Sequence, residues 1–183
     1  MKFNTYSLFL LFVCVLALTG CQRDDICPAT EDTTPLLIIR FYDIDETDEP
    51  KSPQNLGIRA EGFEEYVSIR NENNRDQTIV FERFTGDSLA IPLKTDADVT
   101  KFGFTLNNNL ASQEPSALKN TDSITFSYGR NEEYINRACA FKVNYVGLKA
   151  INEAGEDGSW IQDIQVETTN VEDQNQAHVS IFF

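Results

Sequence analysis

The residue types that most often carry catalysis are scarce in this sequence. Catalysis needs a nucleophile, a base or a metal in a pocket, and the chain of 183 residues contains one histidine, His178. Alternation along the C-terminal segment puts His178 on the same face as Ser180 and Phe182, opposite Val179, where we expect a solvated side chain. A single histidine leaves little for a zinc site, and no G-x-S-x-G elbow accompanies it. We therefore predict a protein that is not an enzyme, with no catalytic residue, bound metal or cofactor.

Carboxylates are the remaining route to catalysis, because a pair of them can act as acid and base in glycoside hydrolysis. With 29 acidic residues, spacing alone identifies no such pair, so a carboxylate-dependent hydrolase stays an alternative. Asp43, Asp45 and Asp48 in D-I-D-E-T-D resemble a calcium loop, but the glycine and the final glutamate of that loop are missing. We expect an exposed acidic loop over residues 43–55 and leave open whether it binds cations.

The single tryptophan, Trp160, follows a loop that carries Gly155 and Gly158. An exposed indole there, together with nearby tyrosines, would form a platform on which a sugar could stack. A tryptophan at the start of a strand is also typical of a hydrophobic core. Trp160 is thus the candidate ligand-binding residue, and a position in the core is the alternative.

The N-terminus carries a short apolar leader. Lys2 supplies a positive start, and the run from Tyr6 to Leu18 is apolar apart from Ser7. This length fits the core of a secretory signal and is short for a membrane span. The junction Leu18-Thr19-Gly20-Cys21 resembles a bacterial lipobox, in which the cysteine is diacylated and the leader is cut off before it. We predict lipidation of Cys21, with a plain secreted protein or an uncleaved anchor as the alternatives.

Charged residues follow this cysteine directly. The mature chain begins Cys21-Gln22-Arg23-Asp24-Asp25, which resembles the surface-export signal of Bacteroidota lipoproteins. Position two is not aspartate, so the inner-membrane retention signal is absent. We predict a lipid-anchored protein of the outer membrane that is exposed at the cell surface. A merely charged tether, on a domain that faces the periplasm, is the alternative.

The four cysteines separate into three roles. Cys14 is lost with the leader and Cys21 takes the lipid, which leaves Cys27 and Cys139 as a pair in an oxidising compartment. We predict a disulfide between them, with two free thiols as the alternative. By parity Cys139 shares the inward face of a core strand with Phe141, so we expect it to be well buried.

Length and charge limit the class of protein. Removing 20 residues leaves 163, which is enough for one domain with a sizeable core. Only Lys2 is lost from the charged residues, so the mature chain has 14 basic and 29 acidic residues and a net charge of −15. Such a surface disfavours nucleic acid and anionic lipid headgroups.

Apolar residues alternate with polar ones along most of the mature chain. Ile124, Phe126 and Tyr128 are one clear example, and Leu36–Tyr42 reads as a strand buried on both faces. Many short alternating strands separated by turns predict an all-β fold, an antiparallel two-sheet β-sandwich that is Ig-like or related. Helix is minimal, at most a turn within 132–136 or 110–118. The predicted organisation is a signal peptide at 1–20, a lipidated tether at 21–35 and a β-sandwich domain at 36–183.

Six segments of the mature chain form a recognisable set. They are D-D-I-C at Asp24–Cys27, T-P-L-L-I-I-R-F-Y-D at Thr34–Asp43, I-P-L-K-T at Ile91–Thr95, Y-I-N-R-A-C-A-F-K-V at Tyr134–Val143, W-I-Q-D-I at Trp160–Ile164 and the terminal A-H-V-S-I-F-F. Together they resemble a family of Bacteroidota envelope lipoproteins classed as a domain of unknown function. Such families are expected to have glycine after the second cysteine, where this chain has Ala140. The resemblance supports the cysteine pairing and the compartment, and it implies no activity, substrate or catalytic residue.

The leading hypothesis is a non-catalytic envelope lipoprotein domain, an accessory or binding module at the outer membrane. It follows from the anchor, the all-β pattern and the scarcity of catalytic residue types. The alternative is a surface module that binds glycan or peptide for nutrient capture, with Trp160 as its platform. The expected partners are the membrane, through the lipid, and an envelope protein or glycan, but no nucleic acid.

Overall fold

A computed structural model describes residues 26–28, 33–71, 76–108 and 119–183. The leader at 1–20, the lipidation residue Cys21 and the export signal Arg23-Asp24-Asp25 lie outside this part of the chain. The helical turn expected within 110–118 lies outside it too.

The described residues fold into strands, and none of them is helical. In chain order the strands are β1 Leu37–Tyr42, β2 Gly57–Ala60, β3 Ser68–Arg70, β4 Thr78–Val80, β5 Ser88–Ile91, β6 Val99–Leu106, β7 Asn120–Asn136, β8 Ala140–Glu153, β9 Asp163–Val166 and β10 Val179–Phe182. In the part of the chain that the structure describes, no helix is available to cross a membrane. The turn expected within 132–136 is instead the continuation of β7.

The strands form two four-stranded sheets and a two-stranded ribbon. The first sheet has the order β5-β1-β10-β9, the second β2-β6-β7-β8, and β3 pairs with β4. The predicted all-β sandwich is confirmed. One pair departs from the antiparallel pattern, because β1 and β10 run parallel, with Ile39 opposite Val179 and Phe41 opposite Ile181. A parallel pair needs a long connection, and here the whole chain between the first and last strands provides it.

The core draws residues from both four-stranded sheets. Burial along β1 alternates, because Leu37, Ile39 and Phe41 are fully buried whereas Arg40 is exposed. The prediction of a first strand buried on both faces is therefore wrong. It is β10, between β1 and β9, that is buried at all four positions.

The chain divides into two compact units. One contains Asp32–Glu133 and Lys142–Phe183, and the other contains the N-terminal segment up to Glu31 and residues Tyr134–Phe141. In the larger unit, the hydroxyl oxygen of Thr34 accepts a hydrogen bond from the Val143 amide at 3.0 Å, and Pro35 is buried. The folded body thus includes residues that we assigned to the tether at 21–35.

The smaller unit contains the disulfide. Cys27 is bonded to Cys139, with their Cα atoms 4.7 Å apart, which is the predicted pairing. The expectation of a buried Cys139 on a core strand is wrong, because Cys139 is half-buried in the turn between β7 and β8. Phe141 is 60% exposed. Ala140, between them, has a φ of 58°, and this left-handed residue interrupts the alternation on which the parity argument depends.

Replacing Ala140 with glycine is expected to stabilise the protein. A left-handed conformation costs an L-residue about 1–2 kcal/mol, whereas glycine adopts it freely at an entropic cost of about 0.5–1 kcal/mol. Ala140→Gly should therefore raise the free energy of unfolding by about 0.5–1 kcal/mol, as measured by urea denaturation. The control is Ala150→Gly in the body of β8, which should lower it. Destabilisation by both variants would contradict the left-handed geometry at position 140.

Candidate binding groove and its buried supports

His178 lies inside the protein, not on a solvated face. Its Nδ1 accepts a hydrogen bond from the Ile38 amide at 2.9 Å, and its own amide donates to the Ile38 carbonyl at 2.9 Å. The side chain is almost completely buried. The prediction of a solvated histidine is wrong, because the residue just before β10 uses its ring to complete the pairing of β10 with β1.

The stability of the protein is expected to fall between pH 7 and pH 5 through His178. Burial lowers the pKa of His178, and the nearby Asp173 opposes this shift. Below about pH 6.5, the ordinary pKa of histidine, His178 is protonated in the unfolded chain but stays neutral in the folded chain. The free energy of unfolding therefore falls by up to about 1.4 kcal/mol for each further pH unit. His178→Asn keeps an acceptor for Ile38 but does not titrate. Urea unfolding at several pH values should show that the free energy of unfolding depends less steeply on pH in this variant than in the wild type. The same pH dependence in both proteins would contradict the role given to His178.

Trp160 is a core residue. It is 7% exposed, its indole N–H donates to the Phe104 carbonyl at 3.0 Å, and its ring meets Phe183 edge to face at 5.4 Å. The tyrosines Tyr128 and Tyr145 are buried as well, and burial raises the pKa of Tyr145 to about 12. None of these rings offers a face to a ligand, so the proposed stacking platform at Trp160 is wrong in this fold.

A buried carboxylate on β7 holds the segment before β9 in place. One oxygen of Asp122 accepts hydrogen bonds from the amides of Trp160 at 2.9 Å and Ile161 at 2.7 Å, and from the Ser159 hydroxyl at 2.9 Å. The other oxygen faces the Gly155 amide at 3.4 Å. Four donors thus compensate the cost of burying this charge. Asp122 therefore has a structural role, because both of its oxygens are engaged by the segment before β9.

A groove of about 540 Å³ lies on the outer face of the first sheet. Its lining residues come from the end of β1 and the following loop, from β9 and the residue after it, and from β10 and the segment before it: Tyr42, Thr47, Asp48, Gln165, Glu167, Ala177, Ser180 and Phe182. Register explains this assembly, because Tyr42 pairs with Phe182 and Gln165 with Ser180, so that their side chains share one face.

The acidic loop after β1 is shaped by Asp43. This carboxylate accepts the Asp45 amide at 2.9 Å and lies 3.1 Å from the ammonium of Lys51. The hydrogen bond from Asp45, and then Lys51, lower the pKa of Asp43. Lys51 also donates to the Phe183 carbonyl at 2.8 Å. Asp43 therefore closes the turn that brings Asp48 to the groove.

Cation binding by this loop finds no support in the geometry. Asp43 is already engaged by Asp45 and Lys51. Across residues 26–28, 33–71, 76–108 and 119–183, no group of three histidine, cysteine or acidic side chains is placed to hold a metal ion.

The groove combines an aromatic floor with an acidic rim. Tyr42 and Phe182 stack with their ring centroids 5.5 Å apart and their planes 26° from parallel, and because Phe182 is only 6% exposed, the half-buried Tyr42 is the ring that a ligand would meet. Asp48 and Glu167 contribute carboxylates, Ser180 and other polar side chains add hydrogen-bonding groups, and no basic side chain lines the groove within the part of the chain that the structure describes. Such a surface suits a ligand that carries positive charge and an apolar or sugar-like body.

A protein-family model matches most of this chain. The model of a family of unknown function, DUF6452, matches residues 65–183. The chain belongs to this family. No curated protein and no solved structure matches it. The DUF6452 segment contains β9, β10 and Asp122 but not β1, so Tyr42, Thr47 and Asp48 of the groove lie outside the matched region.

Sequence reasoning missed the groove because it treated the outer face of β10 as solvated. The available signal was Phe182, a large aromatic residue on that face, together with Tyr42 at the same position of a neighbouring strand. Their proximity follows only from the β1–β10 pairing, which joins the two ends of the domain. No local pattern specifies such a pairing.

Proposed function

We propose that this DUF6452 protein is a lipid-anchored cell-envelope protein of the outer membrane, and that its domain binds a positively charged ligand without turning it over. The observation that carries the binding role is the groove, with its stacked Tyr42 and Phe182 and its rim of Asp48 and Glu167. The anchoring role rests on the leader and on Leu18-Thr19-Gly20-Cys21.

The cysteine pairing supports the anchoring role. The mature chain would retain three cysteines, and two of them, Cys27 and Cys139, are bonded to each other. Cys21 is then the thiol left for acylation, and two acyl chains suffice for stable attachment to a bilayer. A disulfide of this kind also fits an exported protein.

The placement of the reactive groups supports binding over catalysis. His178 completes a strand pairing, Asp122 fixes a loop, and Asp43 closes a turn. The ionisable groups that line the groove in the described part of the chain are the carboxylates of Asp48 and Glu167 and the phenol of Tyr42. A carboxylate-dependent hydrolase, the alternative, would have to use Asp48 and Glu167 as its pair.

The proposal of surface display is supported by Arg23-Asp24-Asp25 directly behind the anchor. The test is protease treatment of intact cells, followed by detection of the protein with an antibody against its C-terminal strand. We expect digestion alongside known surface lipoproteins, and loss of this sensitivity when Arg23, Asp24 and Asp25 are all replaced by alanine. A wild-type protein that survives intact until the outer membrane is permeabilised would face the periplasm instead.

The groove is tested with a lysine-rich peptide and a glucosamine oligomer as probes, each in titration calorimetry. We expect binding of at least one probe, and at least tenfold weaker binding to the double variant Asp48→Asn, Glu167→Gln. The control is Asp157→Asn with Glu156→Gln, outside the groove, which should bind as the wild type does. Equal affinity of both double variants would exclude the groove, and turnover of the glucosamine oligomer would favour the hydrolase.

A further inference from the structure

The described part of the smaller compact unit exposes three large apolar side chains. Phe141 is 60% exposed, Tyr134 59% and Ile26 85%. The Tyr134 and Phe141 rings contact each other across the end of the β7–β8 hairpin, with centroids 5.2 Å apart. We call Ile26, Tyr134 and Phe141 the apolar tip. Exposed aromatic clusters of this kind mark surfaces that another body covers.

The turn of the tip carries a basic residue. Residues 134–141 read Y-I-N-R-A-C-A-F, with the exposed Arg137 and no acidic residue, whereas Glu132 and Glu133 precede this stretch and Asp24 and Asp25 precede Ile26. Arginine beside aromatic and aliphatic residues is the composition found at bilayer interfaces, so the turn is the part of the tip that suits the headgroup region.

The tip is also held in one shape. The side-chain oxygen of Asn136 accepts the amides of Ala138 at 2.9 Å and Cys139 at 2.8 Å, which closes the turn. The Cys27–Cys139 disulfide then joins this turn to the N-terminal segment. Preorganisation of this kind reduces the entropy lost when the tip binds.

The short segment between Cys21 and Cys27 indicates that the membrane is the body that covers the tip. Cys27 follows Cys21 by six residues, and six extended residues span at most about 20 Å. Because Cys27 is bonded to Cys139, an acylated Cys21 keeps the tip within that reach of the bilayer. A short tether raises the effective concentration of the tip at the membrane surface to about the millimolar range. Even a tip with a weak affinity for the membrane would therefore bind it.

We propose that the apolar tip docks into the headgroup region of the membrane that holds the lipid anchor, with Phe141 and Ile26 contacting acyl chains. This inference rests on the proposed acylation of Cys21. It assigns to the disulfide the role of holding the end of the hairpin at the bilayer.

The test places a photocrosslinking phenylalanine analogue, p-benzoyl-phenylalanine, at position 141 of the full chain expressed in its host. Phe63, which is 59% exposed and belongs to the larger unit, receives the same analogue as the matched control. After irradiation of intact cells, mass spectrometry of the purified protein measures phospholipid adducts at each position. We expect adducts at position 141 at least tenfold more abundant than at position 63.

The same spectra separate failure of this inference from failure of the proposed function. A protein that carries the lipid at Cys21 but shows equal adducts at the two positions overturns the docking and leaves the anchor intact. A protein without lipid at Cys21 overturns both. A further test uses the variant Tyr134→Ser, Phe141→Ser, acylated and placed in vesicles of phosphatidylethanolamine and phosphatidylcholine. We expect the backbone amides of residues 135–140 to exchange their hydrogens faster in this variant than in the wild type. Equal exchange of the variant and the wild type in these vesicles would count against docking.

Discussion

Replacing Asp122 with alanine is expected to lower the free energy of unfolding by about 3–5 kcal/mol, among the largest effects of any single substitution in the domain. The change leaves the buried amides of Trp160 and Ile161 without their shared acceptor, whereas the exposed Ser159 hydroxyl can still donate to the Ile161 carbonyl. Buried donors that lose their partners cost about 1–3 kcal/mol each before the structure relaxes. Urea denaturation followed by the fluorescence of Trp160 measures the loss.

Two further variants make this prediction specific. Asp122→Asn preserves the volume of the side chain, so a comparable loss would trace the effect to the hydrogen bonds rather than to a cavity. Exposed Asp87→Ala should change stability by no more than about 0.5 kcal/mol. If Asp122→Ala resembled Asp87→Ala, the loop before β9 would not depend on the buried carboxylate.

Removing the disulfide is expected to have an effect of similar size. The Cys27–Cys139 bond closes a loop with a sequence separation of 112 that contains β1 to β7. Constraining a loop of that length in the unfolded chain contributes about 4–5 kcal/mol in the loop-entropy account. The variant Cys27→Ser, Cys139→Ser should lose about 2–5 kcal/mol in urea denaturation, with no unpaired thiol left at either site.

The control for the disulfide is Cys21→Ala, which should retain the bridge and the wild-type stability of the domain while losing the lipid. The double serine variant should show the opposite behaviour and remain acylated. A double variant as stable as the wild type would mean that the bridge constrains little of the unfolded chain.

Much of the larger unit could be predicted because its burial follows strand alternation. Phe102 and Phe104 on β6 and Ile124 and Phe126 on β7 are buried as the pattern requires. The alternation fails where the backbone departs from extended geometry. Ala140 adopts a left-handed conformation, and the residues around it lose their parity.

The candidate site was less predictable than the fold. Composition limited the chemistry, but His178 and Trp160 are buried by contacts with Ile38 and Phe104 that lie far away in the sequence. The groove likewise depends on the pairing of β1 with β10. One sequence contains no signal for such long-range pairings, whereas the pairing of Cys27 with Cys139 followed from counting the available thiols.

The most direct test of the central claim is the intact mass and N-terminal peptide of the protein purified from its host membrane. We predict a chain that begins at Cys21, carries a diacylglycerol group on that residue and contains the Cys27–Cys139 disulfide. Cys21→Ala should keep the leader and lack the lipid. A wild-type chain with an unmodified Cys21, whether the leader remains or has been cut elsewhere, would contradict the assignment of this DUF6452 protein to the lipid-anchored envelope.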